Sequence, residues 1–114
     1  MKSTDLDQAT LAATNAFMER IGGKYSIEGA ILFGSRARRT HSDDSDADVA
    51  VLLRDHSEVD MATRLAMADI AFDVLMDTGV LVTPIPIWMD EWNHPENHSN
   101  PQLLDNIKRE GIPL

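Results

Sequence analysis

A chain of 114 residues, 43% of them hydrophobic, is long enough to bury a core of its own, and residues 1–114 read as a single domain. It has no cysteine, which excludes disulfides, thiolate metal sites and a cysteine nucleophile. Nineteen acidic against ten basic side chains leave a formal charge of −9, a poor match for a nucleic-acid template. No apolar run reaches the roughly 18 residues of a membrane span. The polar stretch from Met1 to Thr10 lacks a signal-peptide pattern. A soluble, cytoplasmic protein with no membrane partner is the expectation.

In chain order, residues 4–21 read as a helix. Thr4 suits its N-cap, Leu6, Ala9, Ala13, Phe17 and Ile21 recur at helical spacing, and Gly22-Gly23 ends it. Residues 28–33 form a short apolar run, a buried strand that breaks at Gly34-Ser35. After a polar stretch, residues 46–53 make a second strand. Side chains in a strand alternate, so Asp46 and Asp48 share one face and Ala47, Val49, Val51 and Leu53 the other. Ser57 and Asp60 have the spacing of a capping box and open a helix over about 58–77, which Gly79 terminates. Residues 80–88 read as a third strand, placed at an edge by Pro84 and Pro86. Asn100 as N-cap and Pro101 at the first helical position start a last helix, ending near Glu110 with Gly111 behind it. This order of elements predicts an α/β (α+β) fold, a small mixed sheet with helices packed on it.

The chemistry concentrates between the first two strands. Gly34-Ser35 is followed, after ten residues, by Asp46-Ala47-Asp48. Glycine lets a ligand approach the backbone, and Ser35 adds a hydroxyl and an amide suited to an anion. Two aspartates side by side repel each other unless a cation such as Mg²⁺, which takes oxygen ligands, lies between them. A cradle for phosphate and a pair of carboxylates thus converge on a triphosphate. Arg36 and Arg38 could reach phosphates from the same segment, or act as solvated counter-charges to the acid run Asp43, Asp44, Asp46 and Asp48. An Asp-x-Asp alone is common; the Gly-Ser before it and the flanking strands make this one specific.

This segment resembles the signature of the nucleotidyltransferase superfamily related to DNA polymerase β. The chain as a whole, including its ending Leu103-Leu104-Asp105-Asn106-Ile107-Lys108-Arg109-Glu110-Gly111-Ile112-Pro113-Leu114, resembles the minimal nucleotidyltransferase (MNT) branch. The resemblance implies a polymerase β-like nucleotidyltransferase fold, with Gly34 and Ser35 at the nucleotide and Asp46 and Asp48 at the metal. It implies Mg²⁺-dependent transfer of AMP from ATP to a hydroxyl. MNT proteins commonly act as antitoxins that adenylylate a HEPN-domain ribonuclease, so such a toxin is the implied partner.

Two positions depart from the family pattern. A third acid is expected on the following strand, where Thr83 stands; Asp73, Asp90 or Glu91 could substitute. Arg39 stands where the family carries glycine. The missing acid motivates a second reading, an antitoxin that holds nucleotide and neutralises by binding alone. A small-molecule transferase of the antibiotic-modifying kind ranks third, because so short a chain leaves little for an acceptor pocket.

Other features have plain structural readings. Asp69, Asp73 and Asp77 mark the wet side of a helix, and Met61, Met67 and Met76 suit core gaps. His94 and His98 lack a third ligand for zinc. Trp88 and Trp92 suit core or edge packing, or a partner surface.

Overall fold

The computed structural model describes residues 6–54 and 60–114. The first helix, α1, runs Gln8–Ile21 and is capped by Asp7, whose Oδ1 accepts the amide of Thr10 at 2.7 Å. The expected cap, Thr4, lies outside the described residues. The inward face of α1 carries Thr10, Ala13, Thr14, Phe17 and Ile21, whereas Ala9 is exposed. Thr14 is accommodated there because its hydroxyl donates to the carbonyl of Thr10 at 3.0 Å.

Strands β1 (Ile27–Phe33) and β2 (Ala47–Leu53) pair antiparallel, and β3 (Val82–Trp88) lies parallel to β2. A two-residue β4 (Ile112–Pro113) pairs antiparallel with β1, giving a four-stranded sheet in the order β3-β2-β1-β4. The mixed sheet is the one the order of elements predicts. β3 is an edge, as its prolines require. Pro84 and Pro86 share one parity, so the ladder to β2 takes its donors from the alternate residues, and the missing N–H groups fall on the open side.

Both faces of the sheet are covered, which is why β2 is apolar almost throughout. Ala47, Val49, Val51 and Leu53 pack with Leu32, Val82 and Ile112 against α1 and the third helix. On the other face Phe33, Ala50, Leu52 and Ile87 meet Leu104 and Ile107 of α5 (Pro101–Glu110). Val49, Val51 and Leu32 are fully buried, and each such side chain contributes about 1.5–3 kcal/mol.

The remaining elements are short or local. α2 (Ser35–Arg38) is a single turn, and α3 (Asp60–Thr78) returns from β2 to β3. Ser57, its expected capping partner, lies outside the described residues. Gly79 ends α3 with φ +80°, a conformation glycine adopts freely, and its amide donates to the carbonyl of Leu75 at 2.8 Å. α5 starts as expected: Asn100 Oδ1 accepts the amide of Leu103 at 3.3 Å, with Pro101 behind it. Between β3 and α5 lie α4 (Met89–Asn93) and a 3₁₀ turn at Pro95–Asn97. His98 in this region accepts the Asn100 amide at 2.9 Å, and His94 lies 3.4 Å from Glu96. No helix among the described residues is long and apolar enough to cross a membrane.

One expectation is corrected. Met67 is fully buried, but Met61 and Met76 are 64% and 70% exposed. They lie on the side of α3 opposite Met67, Ile70, Ala71 and Val74, because this helix is apolar on two faces and only one of them meets the sheet.

Candidate active site

The sheet brings the motif together at the start of β2. Asp46 immediately precedes the strand. Asp48 is in register with Phe33 of β1 on one side and Thr83 of β3 on the other. Neighbouring strands run about 4.8 Å apart, so Phe33, Asp48 and Thr83 make a row across three strands. This row is on the α5 face, one step beyond the apolar contacts of Ala50 and Ile85. Thr83 Oγ1 donates to Asp46 Oδ2 at 3.3 Å. The residue standing at the expected acid position is therefore in contact with the acid pair.

Gly34 follows Phe33 and caps α2 with φ +79°. A Cβ at this position would push Asp48 Oδ2 aside, and the backbone conformation itself favours glycine. Ser35 begins α2, which closes with Arg38 N donating to Gly34 O at 3.1 Å and Thr40 N to Ser35 O at 3.0 Å. α2 ends at Arg39, which holds φ +61°. A left-handed backbone suits glycine, and a side chain there costs about 1–2 kcal/mol. That accounts for the glycine the family places at this point.

The two neighbouring arginines do different things. Arg38 is half exposed at the rim, with Nη1 3.0 Å from Glu110 Oε1. Arg36 is only 2% exposed. Its Nη1 donates to Thr10 Oγ1 at 2.8 Å, its Nε to the carbonyl of Ser45 at 2.9 Å, and its Nη2 to that of Asp43 at 3.3 Å. The guanidinium is turned inward, where it ties the loop before Asp46 to α1. A second tie joins His41 Nε2 to Asp7 Oδ2 at 2.5 Å. The hydroxyl of Thr10, against the opposing effect of burial and helped by the Thr10 amide and His41, pulls the Asp7 carboxyl down to about 2. Thr10, Asp7, His41 and Glu110 belong to the site's frame and were not legible in the sequence, because each contact crosses from one element to another.

The electrostatics single out Asp48. Burial, and after it the charge of Asp46, push its carboxyl above the usual carboxylate range, with Arg38 pulling the other way. Two repelling carboxylates and the Thr83 hydroxyl form an oxygen-only donor set, a fit for Mg²⁺. Among the described residues no third histidine, aspartate or glutamate joins them. Glu91 instead accepts the amide of Trp88 at the far end of β3, and Asp90 is beside it in α4. Asp73 is exposed on α3. None of these completes the cluster.

A short cradle at a strand end, facing paired acids on the next strand, defines a nucleotide-handling protein of the nucleotidyltransferase class. The family described as Polymerase beta, Nucleotidyltransferase matches residues 17–82, more than half of the chain, and the protein belongs to it. Among solved structures, a Sulfolobus solfataricus protein described as a candidate nucleotidyltransferase superimposes with a TM-score of 0.50. The match covers 79% of this chain and 83% of the other at 19% identity, a likeness of fold. No curated protein matches the sequence.

Proposed function

We propose that the protein transfers AMP from ATP to a hydroxyl of a partner protein, as the antitoxin to a HEPN-domain ribonuclease. The observation that carries the transferase reading is the close approach of Gly34 to Asp48 within a family whose members transfer nucleotides. Gly34 brings the backbone against the Asp48 carboxylate, and Ser35 offers its hydroxyl and amide to phosphate oxygens. Arg38, at the rim, is free to swing from Glu110 towards a leaving pyrophosphate. Asp46 and Asp48 would hold Mg²⁺, whose charge offsets both the carboxylates and the triphosphate. In the transfer, the acceptor oxygen bonds to the α-phosphorus, the bond to the β-phosphate breaks, and pyrophosphate leaves. The hydroxyl proton is lost to solvent or to a carboxylate. Arg36 keeps the loop before Asp46 in place and touches no phosphate in this reading.

Thr83 favours a second reading. Without a third carboxylate, nucleotide binding through Gly34, Ser35, Asp46 and Asp48 outlasts efficient transfer, and the protein neutralises its partner by binding. Intact-mass measurement of a HEPN ribonuclease incubated with this protein, Mg²⁺ and ATP separates the two. A gain of AMP, absent with Asp46→Asn/Asp48→Asn, is the expected result. Silencing of the ribonuclease without any mass gain, retained in the double variant, would replace transfer by simple binding.

A further inference from the structure

We propose that the outward face of α3 is the docking surface for an amphipathic helix of a different protein, one bearing lysine and arginine beside its apolar seam. Met61, Leu65, Phe72 and Met76 are 64%, 60%, 58% and 70% exposed. Among the described residues only Leu114, at 38%, joins them as an exposed large hydrophobic. Scattered apolar residues need no explanation, but a continuous stripe does. At 100° per residue the four fall within about 60° of one another, roughly opposite the stripe that meets the core, and extend along about 24 Å of helix. A helix apolar on two faces is one made to be covered on both.

Charge selects the occupant. Asp69, Asp73 and Asp77 run along one flank of the stripe and are exposed; Asp77 also meets Arg20 of α1. An antiparallel second copy would set this acidic flank against itself. A parallel copy would set it against Ala68 and Leu75, with Arg64 as the cation on that side, and would bring together two chains of charge −9. A helix with an apolar seam and a basic flank satisfies both features at once. The position is also apt. Residues 79–81 link α3 directly to β3, whose Val82 and Thr83 pair with Ala47 and Asp48. The Met76 end of the stripe therefore lies at the end of the sheet that carries the acids. The inference rests on the reading of a protein partner for its purpose, but the contact stands apart from the chemistry.

The test uses the whole chain, labelled with ¹⁵N, and three synthetic peptides. One is an amphipathic helix with leucine along its seam and lysine on its flanks, one has glutamate in place of lysine, and one is a scramble of the first. The expected result is amide shifts confined to residues 61–76 with the basic helix, and weak binding of the other two. Leu65→Gln/Phe72→Gln, both at exposed positions, should keep the melting temperature and lose at least about tenfold in affinity. Equal binding by the scramble, or by the double variant, would overturn the proposal in favour of diffuse attraction. A concentration-dependent dimer that the double variant abolishes would show a second copy as the occupant instead. Calorimetric titration with ATP and Mg²⁺ keeps the readings apart. Absence of nucleotide binding in parent and variant alike would sink the transferase reading and leave the docking surface standing.

Discussion

The connection from β1 to β2 and the connection from β3 to α5 are both polar and of similar length, yet they are built on opposite terms. The second is relaxed: Glu91 accepts the Trp88 amide, Asn100 caps α5, and Lys108 donates to the carbonyl of Trp92 while sitting 4.8 Å from the centre of its ring. The first holds Gly34 and Arg39 at positive φ, packs two carboxylates together and relies on one buried guanidinium to keep its course. Left-handed backbone at a non-glycine residue and like-charge repulsion collect in the connection that carries the candidate site, and they are absent where the chain only has to turn.

Four substitutions test that contrast, in order of expected effect. Arg36→Met removes a buried donor set from Thr10, Ser45 and Asp43, and should cost about 3 kcal/mol in chemical denaturation, with nucleotide binding lost as the loop drifts. Retained stability would mean that the loop holds itself. Gly34→Ala should cost about 1–3 kcal/mol for a backbone at φ +79° and ψ −157°, and its larger effect should be on titration with ATP and Mg²⁺, because Asp48 has to move aside. At the relaxed end, Asn100→Ala should cost about 1 kcal/mol, as a lost cap does, and leave nucleotide binding unchanged; a change there would break the division between the two ends. Arg39→Gly should raise stability by up to about 1 kcal/mol by easing the left-handed backbone. A loss instead would show that the Arg39 side chain holds something that the strain does not reveal.

What could be read from the sequence was local. Gly34-Ser35 and Asp46-x-Asp48 stand out because a strand's alternation and a glycine break are visible within a few residues. Gly79 and Asn100-Pro101 stand out for the same reason, as helix ends with their own chemistry. The mixed sheet followed from the order of elements, and the edge position of β3 from two prolines. The inward turn of Arg36 was not legible, because its acceptor Thr10 lies on another element and a lone arginine beside acids looks equally suited to phosphate. β4 escaped because two residues carry no period, and their pairing with Ile31 and Leu32 depends on where α5 deposits the chain. The exposure of Met61 and Met76 escaped because apolar residues on both sides of a helix look, in sequence, like one generous core face.

The prolines have a further consequence. β3 lacks donors at Pro84 and Pro86 on its open side, and β4, the other border of the sheet, is two residues long and ends in Pro113. The β3 border is therefore a poor template for an added strand, which discourages edge-to-edge association and capture of an extended peptide there. Recognition at this border must then be written in side chains, and a binder engineered against it should present a helix or a loop in place of a β-ribbon.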